Sequence, residues 1–273
     1  MINTKKKINR VPVTLSKGHG VQNETDYLLC LALDVGEGML KCGAEVARVE
    51  DTIERICRAY GAEHVEVFSI ISVIMAAVRM PDGSYSSQIR RVYNSENNFY
   101  RLELYNEISR KICRETPSLT EIDEMLRAVK TKKLYSRWLK PLIAIIATGG
   151  FAIFFGGSAW DGLASGLVGS IIFMLTAFLD NKINSLAKIL INSLVGGFLS
   201  CLAVKIGLGQ DVATIMIGNI MLQIPGLAFG TALRDLLGGD LLAGSLRLIQ
   251  SLLSAAMIAF GYMLPMIVMG GGF

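Results

Sequence analysis

The sequence predicts an α-helical membrane protein in which a small cytosolic α+β domain is followed by about five transmembrane helices. Three observations predict it. Charge is segregated: of the 27 Lys+Arg and 23 Asp+Glu, residues 141 to 273 hold only Asp161, Asp180, Lys182, Lys188, Lys205, Asp211, Arg234, Asp235, Asp240 and Arg247. Glycine is segregated the other way, with 21 of 28 after residue 140, as expected where membrane helices approach through small residues. The near-uncharged stretches recur in windows of the ~20 residues that a bilayer requires. A buried soluble core would also be apolar, but it would not repeat at that length. The boundaries that follow are a flexible basic tail over 1–25, the cytosolic α+β domain over 26–137 and the transmembrane domain over 138–273.

The opening MINTKKKINRVPVTLSKGHG carries basic residues with no apolar core after them, so it reads as a tail rather than a cleavable signal. From Tyr27 to Tyr60 apolar positions advance by threes and fours, the pattern of a long amphipathic helix. Its outer face carries Glu37 with Lys41, Asp51 with Arg55 and Glu54 with Arg58, all one turn apart. Gly36, Gly38 and Gly43 interrupt it, so close packing, a bend or a short break is expected there, and Gly61 ends it.

Val65 to Met80 is long enough for a short span. Its β-branched residues, Glu66 and Arg79, and the PDGS turn that follows argue for strands instead, with Ser84 to Val92 returning as a hairpin partner. Asn98–Arg114 and Ser118–Val129 read as helices, the second opened by a capping box of Ser118 with Glu121. The five cysteines, Cys30, Cys42, Cys57, Cys113 and Cys201, form no CxxC pair and are expected as free thiols. Cys57, His64 and His19 lack metal-ligand spacing, so no metal and no cofactor is expected. The acidic run Glu37, Glu45, Glu50, Asp51 and Glu54, with Arg48, reads as a solvated or subunit-facing helix surface, and the alternative is acid–base work in a membrane-anchored enzyme or regulator.

Lys130, Lys132, Lys133, Arg137 and Lys140 precede the first span, and Trp138 is placed as an interface anchor. Spans are expected near 139–157, 162–180, 188–207, 211–233 and 246–269. Basic loops alternate with them, Lys182 with Lys188 and Arg234 with Arg247, which predicts a cytoplasmic amino-terminal domain and the tail GGGF outside the cell membrane.

The stretch Asn219–Asp240, NIMLQIPGLAFGTALRDLLGGD, begins as a span and breaks at Pro225-Gly226. Proline removes a helical donor, and at membrane depth such a break survives only where protein or a water-filled cavity satisfies the freed groups. The candidate substrate-binding residues are Asn219, Gln223, Pro225, Gly226 and Arg234, whose planar fork suits a carboxylate. Membrane-embedded carboxylates are the natural carriers of a coupling ion, and Asp235 and Asp240 are the candidates. Asp161, Asp180 and Asp211 fall at span ends, where a solvated carboxylate needs no function. The plainer readings are helix-to-helix glue for Asn219 and Gln223, and a sealed span end for Arg234 with Asp235.

Residues 36–61, GEGMLKCGAEVARVEDTIERICRAYG, the strand-turn region through PDGS, and IPGL…RDLLGGDLLAG over 224–244 together resemble the threonine/serine exporter family. They match its ThrE-like amino-terminal half, the YjjP-type component of a split exporter. The resemblance implies a cytosolic domain followed by spans, and export of threonine and serine, or of succinate in some two-component members. It also implies the partners: a small-molecule substrate, the lipid bilayer and a second multi-span membrane subunit or further copies of the chain, with no nucleic acid.

Overall fold

The computed structural model describes residues 20–93, 97–132, 139–180 and 182–269. The chain divides into two compact units, one ending at Val129 and one beginning at Lys130. The sequence-predicted anchor Trp138, the tail GGGF and most of the basic tail lie outside the described residues.

The first unit contains α1 (Gly20–Lys41), α2 (Val46–Ala59), β1 (His64–Ile70), β2 (Val73–Arg79), β3 (Tyr85–Arg91), α3 (Phe99–Glu115) and α4 (Leu119–Thr131). Helix α1 starts within the stretch read as tail. The long helix expected from Tyr27 to Tyr60 is two helices, because the chain reverses at Gly43, whose φ of 90° suits glycine alone. There the Ala44 amide donates to Met39 O and the Gly43 amide to Leu40 O, closing the end of α1. Gly36 and Gly38 serve close packing: an added Cβ would fall 2.6 Å from Ile53 and 2.2 Å from the Tyr105 ring.

The strands form an antiparallel sheet in the order β1-β2-β3, with Val67 opposite Ala76 and Ala76 opposite Gln88. Alternation puts Val65, Ile74, Ala76 and Val78 on the buried face, where α1 and α2 cover it. Leu29, Leu33, Met39, Ile53, Ile56 and Ile112 complete a fully buried apolar core. Half of the expected capping box forms at α4: the Glu121 amide donates to Ser118 Oγ, while the Glu121 carboxylate lies 3.6 Å from Lys111 Nζ.

The second unit contains α5 (Leu139–Phe154), α6 (Ala159–Leu179), α7 (Ser185–Lys205), α8 (Val212–Gln223), α9 (Gly226–Leu237) and α10 (Leu241–Val268). Three helices, α6, α7 and α10, are long and apolar enough to cross a membrane, and α8 with α9 passes as a fourth span bent by 48° at the break. Helix α5 is apolar but shorter, with 16 residues. Small residues set the helix separations. An added Cβ at Gly261 of α10 would fall 2.3 Å from Ser193 Cβ of α7, and one at Gly149 of α5 would fall 2.7 Å from the Gly162 carbonyl of α6.

Two sequence expectations change here. Helix α10 begins at Leu241, so Arg247 lies inside it, and Arg234 lies inside α9 rather than in a loop. The connection is only Gly238–Asp240, where Gly239 adopts a φ of 96° and the Asp240 amide donates to Asp235 O. Asp161 is not a solvated span-end carboxylate. It is 2% exposed, and it accepts from the Ser158 amide and hydroxyl, the Gln210 amide and the Asp211 amide. It thereby ties the α5–α6 turn to the α7–α8 turn. Asp180, by contrast, is partly exposed and 2.5 Å from Lys188 Nζ, and Asp211 is exposed and caps α8.

Candidate functional site

The break at Pro225-Gly226 is real and local. The Gly226 amide turns back to Ile224 O at 2.9 Å, and Phe229 N resumes the helical ladder to Pro225 O. Proline, which has no amide hydrogen, stands where the next donor would be, so α9 leaves α8 at an angle. Helix α9 then packs along α10. The close approach is set by Gly244, where an added Cβ would fall 2.7 Å from Leu236 Cγ.

That hairpin buries an ion pair. Asp235 Oδ2 lies 3.4 Å from Arg247 Nε, with side-chain exposures of 1% and 10%. Charges this deep in apolar surroundings are costly unless opposed, and in membrane segments they mark solute or ion pathways. Arg234, one residue earlier, is exposed, because adjacent helical residues point about 100° apart. Sequence reading set Arg234 beside Asp235 and left Arg247 in a loop. The double glycine at 238–239, too short for anything but a hairpin turn, was the available signal.

Beyond Arg247 the buried face of α10 continues through Ser251 and Ser254 to Tyr262. The Ser251 hydroxyl donates to Arg247 O and the Ser254 hydroxyl to Gln250 O, each at 2.9 Å. Their hydrogens are committed, so both oxygens stand as acceptors.

Asn219 and Gln223, one turn apart on α8, do not converge on this pair. Asn219 is 1% exposed and donates to Ser165 Oγ of α6 and to Ile215 O, and its Oδ1 is a buried acceptor without a hydrogen bond. Gln223 accepts from Ser193 of α7 and donates to Tyr262 of α10. Each therefore crosslinks helices. Asp240 is half-buried at the start of α10.

Elsewhere in this unit a groove of about 360 Å³ between α7 and α10 is lined by Leu194, Phe198, Leu264, Pro265 and other apolar residues. It offers nothing to a polar solute. In the first unit Cys57 is fully buried, and desolvation, with the nearby Cys113, pushes its thiol up to about 12. Such a thiol stays protonated at neutral pH and is a poor nucleophile there. Three carboxylates of α1 and α2 pair with a cation one turn on: Lys41 Nζ is 2.5 Å from Glu37, Arg55 Nε 2.8 Å from Asp51 and Arg58 Nε 2.7 Å from Glu54.

The threonine/serine exporter family model, ThrE, covers residues 30–269. The chain belongs to the ThrE family. Searches of curated proteins and of solved structures gave no match. Family membership and the apolar helices make it a membrane-integral protein of a transporter family with a small-molecule substrate.

Proposed function

We propose that the chain is a subunit of a secondary exporter of small polar metabolites, threonine and serine or a dicarboxylate such as succinate. The observation that carries this reading is the buried Asp235–Arg247 pair beside the broken span. Discontinuous helices form solute sites because they bring backbone dipoles and charged side chains to the middle of a bundle without leaving polar groups in lipid. In this reading Arg247 takes the carboxylate-binding role that the sequence gave Arg234. Asp235 moves a coupling ion together with Asp240, which sits at the turn. The remaining features are part of the same proposal: five crossings including α5, a cytoplasmic amino-terminal unit, the carboxyl end outside the cell membrane, and a second multi-span subunit.

Counterflow of radiolabelled threonine and succinate into proteoliposomes tests this, with the chain alone and with a co-expressed small multi-span partner. Uptake is expected only with the partner, and Arg247→Gln abolishes it while insertion persists. An imposed pH gradient drives accumulation by the unmodified pair of subunits but not by Asp240→Asn. Counterflow by the chain alone at full rate rejects the partner requirement, and absence of counterflow with every partner rejects the exporter.

A further inference from the structure

In the polar cluster between α5, α6 and α8 every side-chain hydrogen is spent, while oxygen lone pairs remain. Thr148, Ser165 and Asn219 are 1%, 0% and 1% exposed. The Thr148 hydroxyl donates to Ala144 O and Ser165 O, and the Ser165 hydroxyl to Thr148 O and Ile215 O. Asn219 Nδ2 donates to Ser165 Oγ at 3.1 Å and to Ile215 O at 2.9 Å. A carbonyl only accepts, so the second of these bonds fixes which amide atom is nitrogen and leaves Oδ1 as the buried orphan. A Cβ added at the buried Gly169 of α6 would fall 2.4 Å from Thr148 Oγ1 and 3.0 Å from Asn219 Oδ1. Both oxygens therefore look onto the same bare stretch of backbone.

Two further features select the ligand. A water would give Asn219 Oδ1 a hydrogen, but no side chain of the cluster has a donor left for the water's own lone pairs, whereas a cation needs acceptors only. Asn219 also lies one turn before the end of α8 at Gln223. The helix dipole is negative there, and Pro225 leaves the Met221 carbonyl without its helical donor. Half-helix carboxyl ends of this kind coordinate monovalent cations inside membranes. Divalent ions take several carboxylates, and these oxygens include none.

We infer that Thr148, Ser165, Gly169 and Asn219 form a site for a small monovalent cation, sodium, between α5, α6 and α8. Asn219 Oδ1 and Thr148 Oγ1 are the side-chain ligands. Ser165 Oγ holds the amide in the orientation that presents Oδ1, and Gly169 keeps the narrow space that favours sodium over the larger potassium. The ion draws three helices together and steadies the end of α8 from which the broken span turns. The site shares no residue with the Asp235–Arg247 pair, and it requires neither the solute nor the pH gradient of the exporter reading.

The test is sodium binding to the full chain in lipid nanodiscs, with choline replacing sodium at constant ionic strength. It is read as thermal stabilisation and as bound radioactive sodium counted directly. Sodium is expected to raise the melting temperature saturably in the millimolar range, and potassium to leave it unchanged. Thr148→Val keeps the side-chain shape without the oxygen and weakens sodium binding by about 10–100-fold, and Thr148→Ser restores it. Gly169→Ala sets a methyl against both ligands and weakens binding at least as much. Asn192→Leu controls for folding: it removes another buried amide, bonded to Thr176 Oγ1, and lowers the melting temperature with the sodium affinity unchanged.

Equal stabilisation by sodium and potassium, no sodium binding to the unmodified chain, or unchanged sodium affinity in Thr148→Val and Gly169→Ala each overturns the site. A Thr148→Val variant that loses melting temperature alone does so too, and leaves a buried water or an interhelical hydrogen bond in its place. Selective sodium binding without counterflow sinks the exporter alone, and counterflow by a chain that binds no sodium sinks the site alone.

Discussion

The two units of this chain solve opposite solvation problems with the same amino acids. In the first, the largest fully buried side chains include Leu29, Leu33, Met39, Ile53 and Ile112, and charge is spread over the surface in pairs one helical turn apart. In the second, Thr148, Ser165, Asn192, Ser193, Asn219, Asp235 and Arg247 are buried, while Phe154, Met174, Leu237 and Val268 are 79%, 63%, 89% and 77% exposed. Water drives the first core together through apolar burial. In lipid that drive vanishes, and helices hold one another by close contact and hydrogen bonds instead. Buried polarity is thus a liability in one unit and the adhesive of the other.

The comparison breaks most readily at its charged extreme. Asp235→Leu leaves the Arg247 guanidinium buried without its carboxylate and is expected to cost about 3–5 kcal/mol, whereas Asp235→Leu with Arg247→Met recovers most of that loss. Denaturation of the detergent-solubilised chain measures both, and a double variant as weak as the single one refutes the coupling. In the first unit Ile53→Ala, at 0% exposure, is expected to cost about 2–5 kcal/mol through lost contacts and a cavity. Hydrogen exchange should report that loss within residues 20–129 and leave α7 and α10 unchanged.

Glycine sharpens the contrast. Gly261→Val forces α10 away from Ser193 and is expected to cost about 1–3 kcal/mol. Gly83→Ala meets nothing within 4 Å, and its smaller cost, about 1 kcal/mol, comes from a φ of 84° alone. Reversal of that order by thermal scanning would mean that the helix separations are not set by small residues.

At neutral pH the smallest effect is chemical. Cys57 ionises near its ordinary pKa when unfolded but only near 12 when folded, so the folded state holds the extra proton between those values. Stability of the first unit is therefore full below about pH 9 and falls as pH rises toward 12. A Cys57→Ala variant should lose that alkaline slope, and a thiol reagent at pH 8 should label Cys57 only on unfolding.

What was legible in the residues followed from constraints that each residue carries by itself. Pro225 lacks an amide hydrogen and β-branched residues favour strands, so the break and the sheet could be placed without knowing any neighbour. The family resemblance and the division of charge were legible for the same reason. Asp235 was named, but its partner was not, because Arg247 reaches it only through a hairpin whose turn is three residues long. Asp161 was misread as solvated although Ser158-Ala-Trp-Asp161 spells a capping box; its further bonds to Gln210 and Asp211 depend on how distant turns meet. Asn219 and Gln223 looked like a pair by spacing, yet they serve different helices.

The 3.4 Å between Asp235 and Arg247 also has an electrical meaning. Moving one elementary charge through the full membrane potential involves about 2.3 kcal/mol per 100 mV. Two opposite charges carried side by side on one helical hairpin cancel that work, so a displacement of α9 with α10 is blind to voltage as far as this pair is concerned. Removing either member would leave one uncompensated charge at this place, so any displacement of the hairpin would then do electrical work through it.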